Sequence, residues 1–230
     1  MRVPILEARE VQKTFTRKGA PPLQILDDLN LRVEEGESIV ICGASGSGKT
    51  TFLNILGGLD QPTRGEVLWS GESVAGWSRR QISRQRNLKV AYVFQGYHLL
   101  PELDVRENVL LPGWIRREED KAKAEAVLER VGLKDRITHH PYELSGGEQQ
   151  RVAVARALYQ DPAVILADEP TGNLDSRNSS KVVELLQELA IEKKKALVLV
   201  THDFSIAERV GSVRYLIDGR LSDSKNQSQA

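Results

Sequence analysis

Ser38-Ile-Val-Ile-Cys42 runs straight into Gly43-Ala44-Ser45-Gly46-Ser47-Gly48-Lys49-Thr50-Thr51, and the reading of this stretch decides the fold. Its first part is a compact apolar run of strand length that stops abruptly in glycines, and from Lys49 to Leu56 the apolar spacing turns helical. Between the two, Gly43 to Thr50 satisfies G-x-x-x-x-G-K-[ST]. Glycines let the backbone curl so that successive N–H groups point inward at phosphate oxygens, and a helix starting near Gly48 adds the positive end of its dipole. Lys49 is then placed to reach the β- and γ-phosphates of a nucleotide. Thr50 offers a hydroxyl to Mg²⁺, which demands hard oxygen ligands in an octahedral shell. The alternative is a chance glycine-rich turn, against which stand the strand before it and the helix after it, the context the motif requires.

Outward from this loop the chain alternates between strand and helix. Toward the N-terminus, Ile5 to Val11 alternates enough for an edge strand, Gly19-Ala-Pro-Pro22 interrupts it as a turn, and Leu29 to Val33 returns as a strand. Downstream, Gly57-Gly58 stops the helix, Gln61-Pro-Thr-Arg-Gly65 is a loop, and Glu66 to Trp69 is a short strand. Trp77 to Asn87 reads as a basic helix and Lys89 to Phe94 as a strand running into Gln95-Gly96. From Asp104 to Val131 apolar residues fall at helical spacing, with Pro112-Gly113 splitting one helix from a charged second one beginning near Arg117. Gly147 to Tyr159 reads as a helix, Ala163 to Ala167 as a strand, Arg177 to Ala190 as a helix and Ala196 to Val200 as a strand. This order predicts an α/β phosphate-loop NTPase fold with a mainly parallel core sheet, N-terminal antiparallel strands and an inserted helical subdomain over about residues 96–160. Ligands of such sheets sit at the carboxyl ends of the strands. Residues 1–221 are expected to form the domain, and 222–230 a polar, flexible tail.

Two further segments carry chemistry. Val164-Ile-Leu-Ala-Asp168-Glu169 is an apolar strand that delivers two consecutive carboxylates at its end. Adjacent strand residues point to opposite sides. Asp168 is therefore expected to face a metal ion, through water, and Glu169 the position of an attacking water as general base; a solvated strand-end pair is the plainer alternative. Leu144-Ser145-Gly146-Gly147-Glu148, continued as Gln149-Gln-Arg151, places Ser145 at a helix N-cap behind two glycines that expose backbone N–H groups. This is a second anion cradle, or else an ordinary capped helix start. One nucleotide does not need two cradles far apart in sequence, so the economical expectation is that this one caps a nucleotide held by a second subunit.

The composition narrows the class. The 32 Lys and Arg balance the 32 Asp and Glu, so no net field recruits nucleic acid, and a nucleic-acid partner is not expected. Cys42 is the single cysteine, which excludes an intrachain disulfide and a cysteine-cluster metal site. The Met1-Arg-Val-Pro start lacks the apolar core of a signal peptide, and apolar runs such as Ala196 to Val200 are far shorter than the roughly 20 residues of a membrane-spanning helix. A cytoplasmic placement is expected. Lys193-Lys-Lys195 reads most simply as a solvated helix end, and Cys42 as buried. Trp69 and Trp77 receive no role.

The string Leu144-Ser-Gly-Gly-Glu-Gln-Gln-Arg151 resembles the signature of ABC ATPases, and the chain's other motifs fall in that family's order from about Leu6 to Arg220. The resemblance implies an ATP-hydrolysing subunit that uses ATP and Mg²⁺. It implies that Gln95 contacts the metal and the lytic water, that Leu174-Asp175 lies at a dimer seam, and that His202 contacts the γ-phosphate and Glu169; a helix-capping histidine is the plainer reading of His202. Phe15 stands where the family usually has a tyrosine that stacks on adenine. The ring face is kept, and because stacking tolerates any base, base selectivity stays open. A homodimer forming on ATP binding is implied, each nucleotide lying between Lys49, Thr50, Asp168 and Glu169 of one copy and Ser145, Gly146 and Gly147 of the other.

Within the family, Leu56-Gly-Gly-Leu-Asp60, Pro62-Thr-Arg-Gly-Glu66 and Thr171-Gly-Asn-Leu-Asp175 look most like the lipoprotein-releasing and macrolide-exporter ATPases, with the division-associated FtsE type close by. That implies a separate integral membrane permease of the FtsX, MacB or LolCE kind and a peripheral position on the cytoplasmic face of the inner membrane. Docking is expected at Gly96–Gly113, where Leu99 to Leu103 and Val109 to Pro112 offer apolar surface beside Gln95. The rival, a soluble ABC ATPase acting on DNA or ribosomes, is disfavoured because neither a coiled-coil insert nor a second phosphate loop is present. A non-hydrolysing module is disfavoured by Glu169 and His202.

Overall fold

The computed structural model describes residues 3–192 and 194–224. Strand β3 (Ser38–Cys42) pairs in parallel with β8 (Ala196–Thr201) on one side and β9 (Ser212–Ile217) on the other. Parallel pairing continues from β8 to β7 (Val164–Asp168) and on to β6 (Val90–Phe94), while β10 (Arg220–Ser222) closes the far edge antiparallel to β9. These strands read as apolar runs because the sheet is covered on both faces. Ile39 and Ile41 of β3 join Leu166, Val198 and Val200 in one core cluster, whereas Val40 and Cys42 join Ala167, Leu197 and Leu199 in the other. Fully burying each such side chain stabilises by about 1.5–3 kcal/mol, which anchors the carboxyl ends of β3, β6, β7 and β8 along one rim.

The first cluster fills the space under a second, antiparallel sheet of order β2-β1-β4-β5, formed by β1 (Leu6–Phe15), β2 (Leu23–Val33), β4 (Arg64–Trp69) and β5 (Glu72–Ser73). Helix α1 (Lys49–Leu56) lies in it through Phe52 and Leu53. The expectation of an edge strand at Ile5–Val11 is corrected: β1 is interior, bonded to β2 and β4 on its two sides. Its alternation, with Leu6, Ala8 and Val11 buried, reports which face meets the core rather than an open edge.

The second cluster lies under α3 (Val105–Arg116), α4 (Lys121–Arg130), α5 (Gly146–Tyr159), α6 (Ser176–Glu192) and α7 (Phe204–Val210). Pro112-Gly113 does not split a helix. Both lie inside α3, where Pro112 lacks one donor but sits among the buried Val109 and Leu110. Gly113 is needed because a Cβ there would meet Tyr159 Oη at 2.6 Å. The break falls at Arg117, left-handed at φ 62, before Asp120 caps α4. The basic helix α2 (Arg79–Lys89) starts behind a Ser78–Gln81 capping box. Trp69 is buried edge-to-face against Trp77, and Cys42 is buried as expected. Lys195 pairs with Asp161 at 3.2 Å. Lys193 and the tail beyond Ser224 lie outside the described residues, and no described helix is long and apolar enough to cross a membrane.

Candidate functional site

The loop after β3 curls because two of its glycines take left-handed backbone, Gly46 at φ 80 and Gly48 at φ 99, and a Cβ on Gly48 would sit 2.9 Å from the side chains of both Ile25 and Leu26. A cavity of about 380 Å³ opens beside it, within the range of small-molecule sites. Of the residues expected there, Phe15, Ser45, Gly46, Gly48, Lys49, Thr50, Thr51, Gln95, Glu169 and His202 line it, and Ile25 adds an apolar wall beside Phe15. Gly43 and Ala44 contribute differently: their carbonyls each accept from Lys49 Nζ at 2.9 Å. Ser47 faces a neighbouring groove with Leu216 and Gly219. An incoming phosphate thus competes with two carbonyls for the buried ammonium.

At the far wall, Thr50 Oγ1 donates to Asp168 Oδ1 at 3.0 Å. Burial pushes the Asp168 carboxyl above its ordinary pKa, the adjacent Glu169 adds to this, and the Thr50 bond and Lys49 oppose it. A hydroxyl and a carboxylate this close at the end of the phosphate loop are hard oxygen donors that fit a divalent cation.

Glu169 departs from simple strand alternation. β7 ends at Asp168, and Glu169 is left-handed at φ 44 with its N–H bonded to Val200 O at 3.0 Å. A non-glycine residue in that region persists only where its surroundings hold it, and such strain clusters at working sites. The turn, not strand period, aims the carboxylate: Oε1 lies 2.9 Å from His202 Nδ1 and 3.9 Å from Lys49 Nζ, while Oε2 accepts from Thr201 Oγ1 at 3.2 Å. A carboxylate gripped on both oxygens, in contact with a histidine at the mouth of a phosphate loop, can accept a proton from water.

Gln95 follows β6 and donates to Asn173 Oδ1 at 3.4 Å, while Asn173 Nδ2 donates to the Gln95 carbonyl at 3.1 Å. Phe15 ends β1 as a half-exposed ring with Lys13 Nζ 5.0 Å over it. Thr201, Asn173 and Ile25 were missed from sequence. Thr201 could have been suspected from its place next to His202; the other two carry no local signal.

Ser145 caps α5 within a capping box, accepting from Glu148 N–H at 3.4 Å while Glu148 Oε2 accepts from Ser145 N–H at 2.9 Å. The Ser145 hydroxyl, donating to Glu148 Oε2 at 2.6 Å, and the Ser145 N–H hold the Glu148 carboxyl below its usual pKa. The turn lies against α6, since a Cβ on Gly147 would meet Asn178 at 2.9 Å. Asp175 accepts from Asn178 N–H at 3.0 Å and so starts α6. Neither Asp175 nor Ser145, Gly146 or Gly147 lines the cavity around the phosphate loop. Beside Gln95, Leu59, Phe94, Leu111, Pro112 and Ile115 line an apolar groove, whereas Val109 and Leu110, expected at the surface, point into the core.

The family described as "ABC transporter" matches residues 26–172. The lipoprotein-releasing system ATP-binding protein LolD 2 of Chlorobaculum tepidum is 46% identical over 225 residues, covering 94% of this chain and 91% of that protein. LolD of Syntrophus aciditrophicus is 46% identical over 220 residues, covering 94% and 98% respectively. Among solved structures, the dimeric post-hydrolysis state of the ATP-binding cassette MJ0796 bound to ADP and Pi superimposes with a TM-score of 0.87 at 39% identity, over 94% of this chain and 96% of that one. Phosphate loop, gripped glutamate and signature turn occur here on the same fold, and the chain belongs to the ABC transporter family as an ATP-binding, ATP-hydrolysing subunit of the LolD type.

Proposed function

We propose that two copies of this chain close head to tail around two ATP molecules and drive a separate membrane permease that releases or exports lipoprotein-like cargo. The observation that carries this reading is the separation of the two anion cradles: Ser45, Gly46, Gly48, Lys49, Thr50 and Thr51 border the cavity, and Ser145, Gly146 and Gly147 do not. A second copy supplies what one chain lacks, and the similar cassette MJ0796 is described as dimeric.

In this reading Phe15 stacks on the base, the loop amides and Lys49 bind the phosphates, and Lys49 exchanges its carbonyl partners for phosphate oxygens. Thr50 and Asp168, with Gln95 nearby, would hold Mg²⁺, which would supply charge neutralisation on the phosphates. Glu169 accepts the proton of the attacking water, and His202 keeps that carboxylate aimed and meets the γ-phosphate. Ser145, Gly146 and Gly147 of the second copy cap the γ-phosphate with N–H groups, and Asp175 lies at the seam. Phosphate release removes these shared contacts and reopens the dimer.

The segment from about 96 to 160 acts as the helical subdomain, and the groove of Leu59, Leu111, Pro112 and Ile115 receives a cytoplasmic helix of the permease. The relatives' names support a lipoprotein-releasing system, hence a peripheral position on the cytoplasmic face of the inner membrane. Affinity purification of tagged Glu169→Gln chain from its own membranes with ATP and Mg²⁺ tests this. Recovery of a permease supports the reading; recovery of ribosomal or chromosomal proteins without any membrane protein overturns it.

A further inference from the structure

Helix α5 opens with the Ser145–Gly147 turn, and its later residues reach back to the opposite wall of the nucleotide cavity. Gln150, fully buried, donates from Nε2 to the carbonyl of Phe94 at 3.4 Å, and its Oε1 is buried without a hydrogen-bond partner. Arg156 donates from Nη2 to Tyr97 O at 2.8 Å and from Nη1 to His98 O at 2.6 Å. Both flanks of Gln95 therefore hang on one helix.

The segment so held is strained. Tyr97 at φ 56 and His98 at φ 48 are consecutive left-handed residues that are not glycine, and the His98 N–H folds onto Gly96 O at 2.5 Å. Side chains disfavour that backbone, so it persists only where its surroundings over-determine it. Arg156 bonds the carbonyls of both strained residues. Burial lowers its pKa, and among the described residues its recorded partners are these two carbonyls and no carboxylate. Arg156 is half-buried on the wall of the groove with His98, Leu111 and Pro112, where two main-chain carbonyls of the turn hold its guanidinium. Beyond the turn, Tyr97 reaches the start of α5: its Oη would lie 2.8 Å from a Cβ on Gly146.

The geometry points to Arg156 as a positioning residue that clamps the strained Tyr97–His98 turn, and through it sets Gln95 in the nucleotide cavity and Tyr97 against Gly146 of the second anion cradle. This rests on the proposed roles of Gln95 and of Ser145–Gly147 in hydrolysis.

The test compares Arg156→Gln, Arg156→Lys and Gln95→Ala in the full chain, measuring Tm, nucleotide Kd and kcat. Arg156→Gln is expected to leave Kd nearly unchanged while kcat falls about ten- to hundred-fold, the range set by losing charge-assisted hydrogen bonds. Arg156→Lys keeps the charge but not the two-pronged donor geometry, so it stays impaired; with a long cationic side chain retained, it also serves if glutamine prevents folding. Adding His98→Gly to Arg156→Gln restores kcat several-fold, because glycine adopts the left-handed conformation without strain. A purely structural arginine would instead lower Tm and kcat and raise Kd together, with no rescue by glycine. If Gln95→Ala lowers kcat and Arg156→Gln does not, this inference falls alone. If Gln95→Ala leaves kcat intact, the role assigned to Gln95 falls and takes the inference with it.

Discussion

Replacing Glu169 with glutamine removes one charge and keeps the shape of the side chain. Its surroundings allow the effect on folding and on chemistry to be separated. The ion pair with Lys49 is 3.9 Å long, a Coulomb attraction of about 4 kcal/mol at an effective dielectric of about 20. Desolvation of two largely buried charges offsets most of this. The loss of the charge also relieves the neighbouring Asp168, and Lys49 keeps its bonds to Gly43 and Ala44. Folded stability should therefore move by only about 1 kcal/mol. Thr201 and His202 keep a polar partner within hydrogen-bond reach. Proton acceptance is lost, and a general base contributes about 10²–10⁴-fold, or about 3–5 kcal/mol of barrier. The assays are steady-state phosphate release, urea unfolding and size-exclusion chromatography with ATP and Mg²⁺. Expected are a normal unfolding midpoint, phosphate release slowed by at least about a hundred-fold, and a persistent dimer, because the phosphate contacts are no longer cleared. Turnover close to that of the unmodified chain would refute the role of Glu169, and monomeric elution would refute shared ATP sites.

Lys49→Ala should weaken nucleotide binding about ten- to hundred-fold by titration, the worth of a charge-assisted bond to phosphate; an unchanged Kd removes Lys49 from the site. Gly57→Ala should destabilise by about 1–3 kcal/mol, because its Cβ would lie 2.3 Å from the Tyr92 ring, and a variant equally resistant to urea would contradict that packing. Glu148 has a depressed pKa in the fold, chiefly from the Ser145 bonds. Its contribution is present above the unfolded carboxylate value of about 4.3 and is lost as pH falls through the lower folded value. Glu148→Gln should keep the capping box at neutral pH yet flatten the loss of stability on acidification; identical acid slopes would show that the box does not depend on charge.

Much of this site was legible locally. Gly43–Thr50 states its own loop, since glycine spacing, lysine and threonine act within one turn of backbone. Ser145 and Glu148 likewise state a helix start. Less legible were features set by partners distant in sequence. The interior place of β1 depends on β4, and the continuity of α3 through Pro112 depends on its burial and on Tyr159. Residues 204–222, folded as α7, β9 and β10, are too short and mixed for periodicity to reveal them.

The sequence by itself determined the fold class and stated the phosphate loop, because those follow from the period of apolar residues and from glycine, lysine and threonine contained in one short run; it also named the side chains proposed to react, Gln95 and His202 only through the family resemblance. Only the tertiary structure decided how they meet. It brought Thr50 to Asp168, across 118 positions. It aimed Glu169 by a left-handed turn rather than by strand alternation, and it hung both flanks of Gln95 on α5, the helix capped by Ser145. Hydrogen bonds of about 3 Å between residues far apart in the chain exist only once the sheet has set its strand order, and no local pattern encodes that distance.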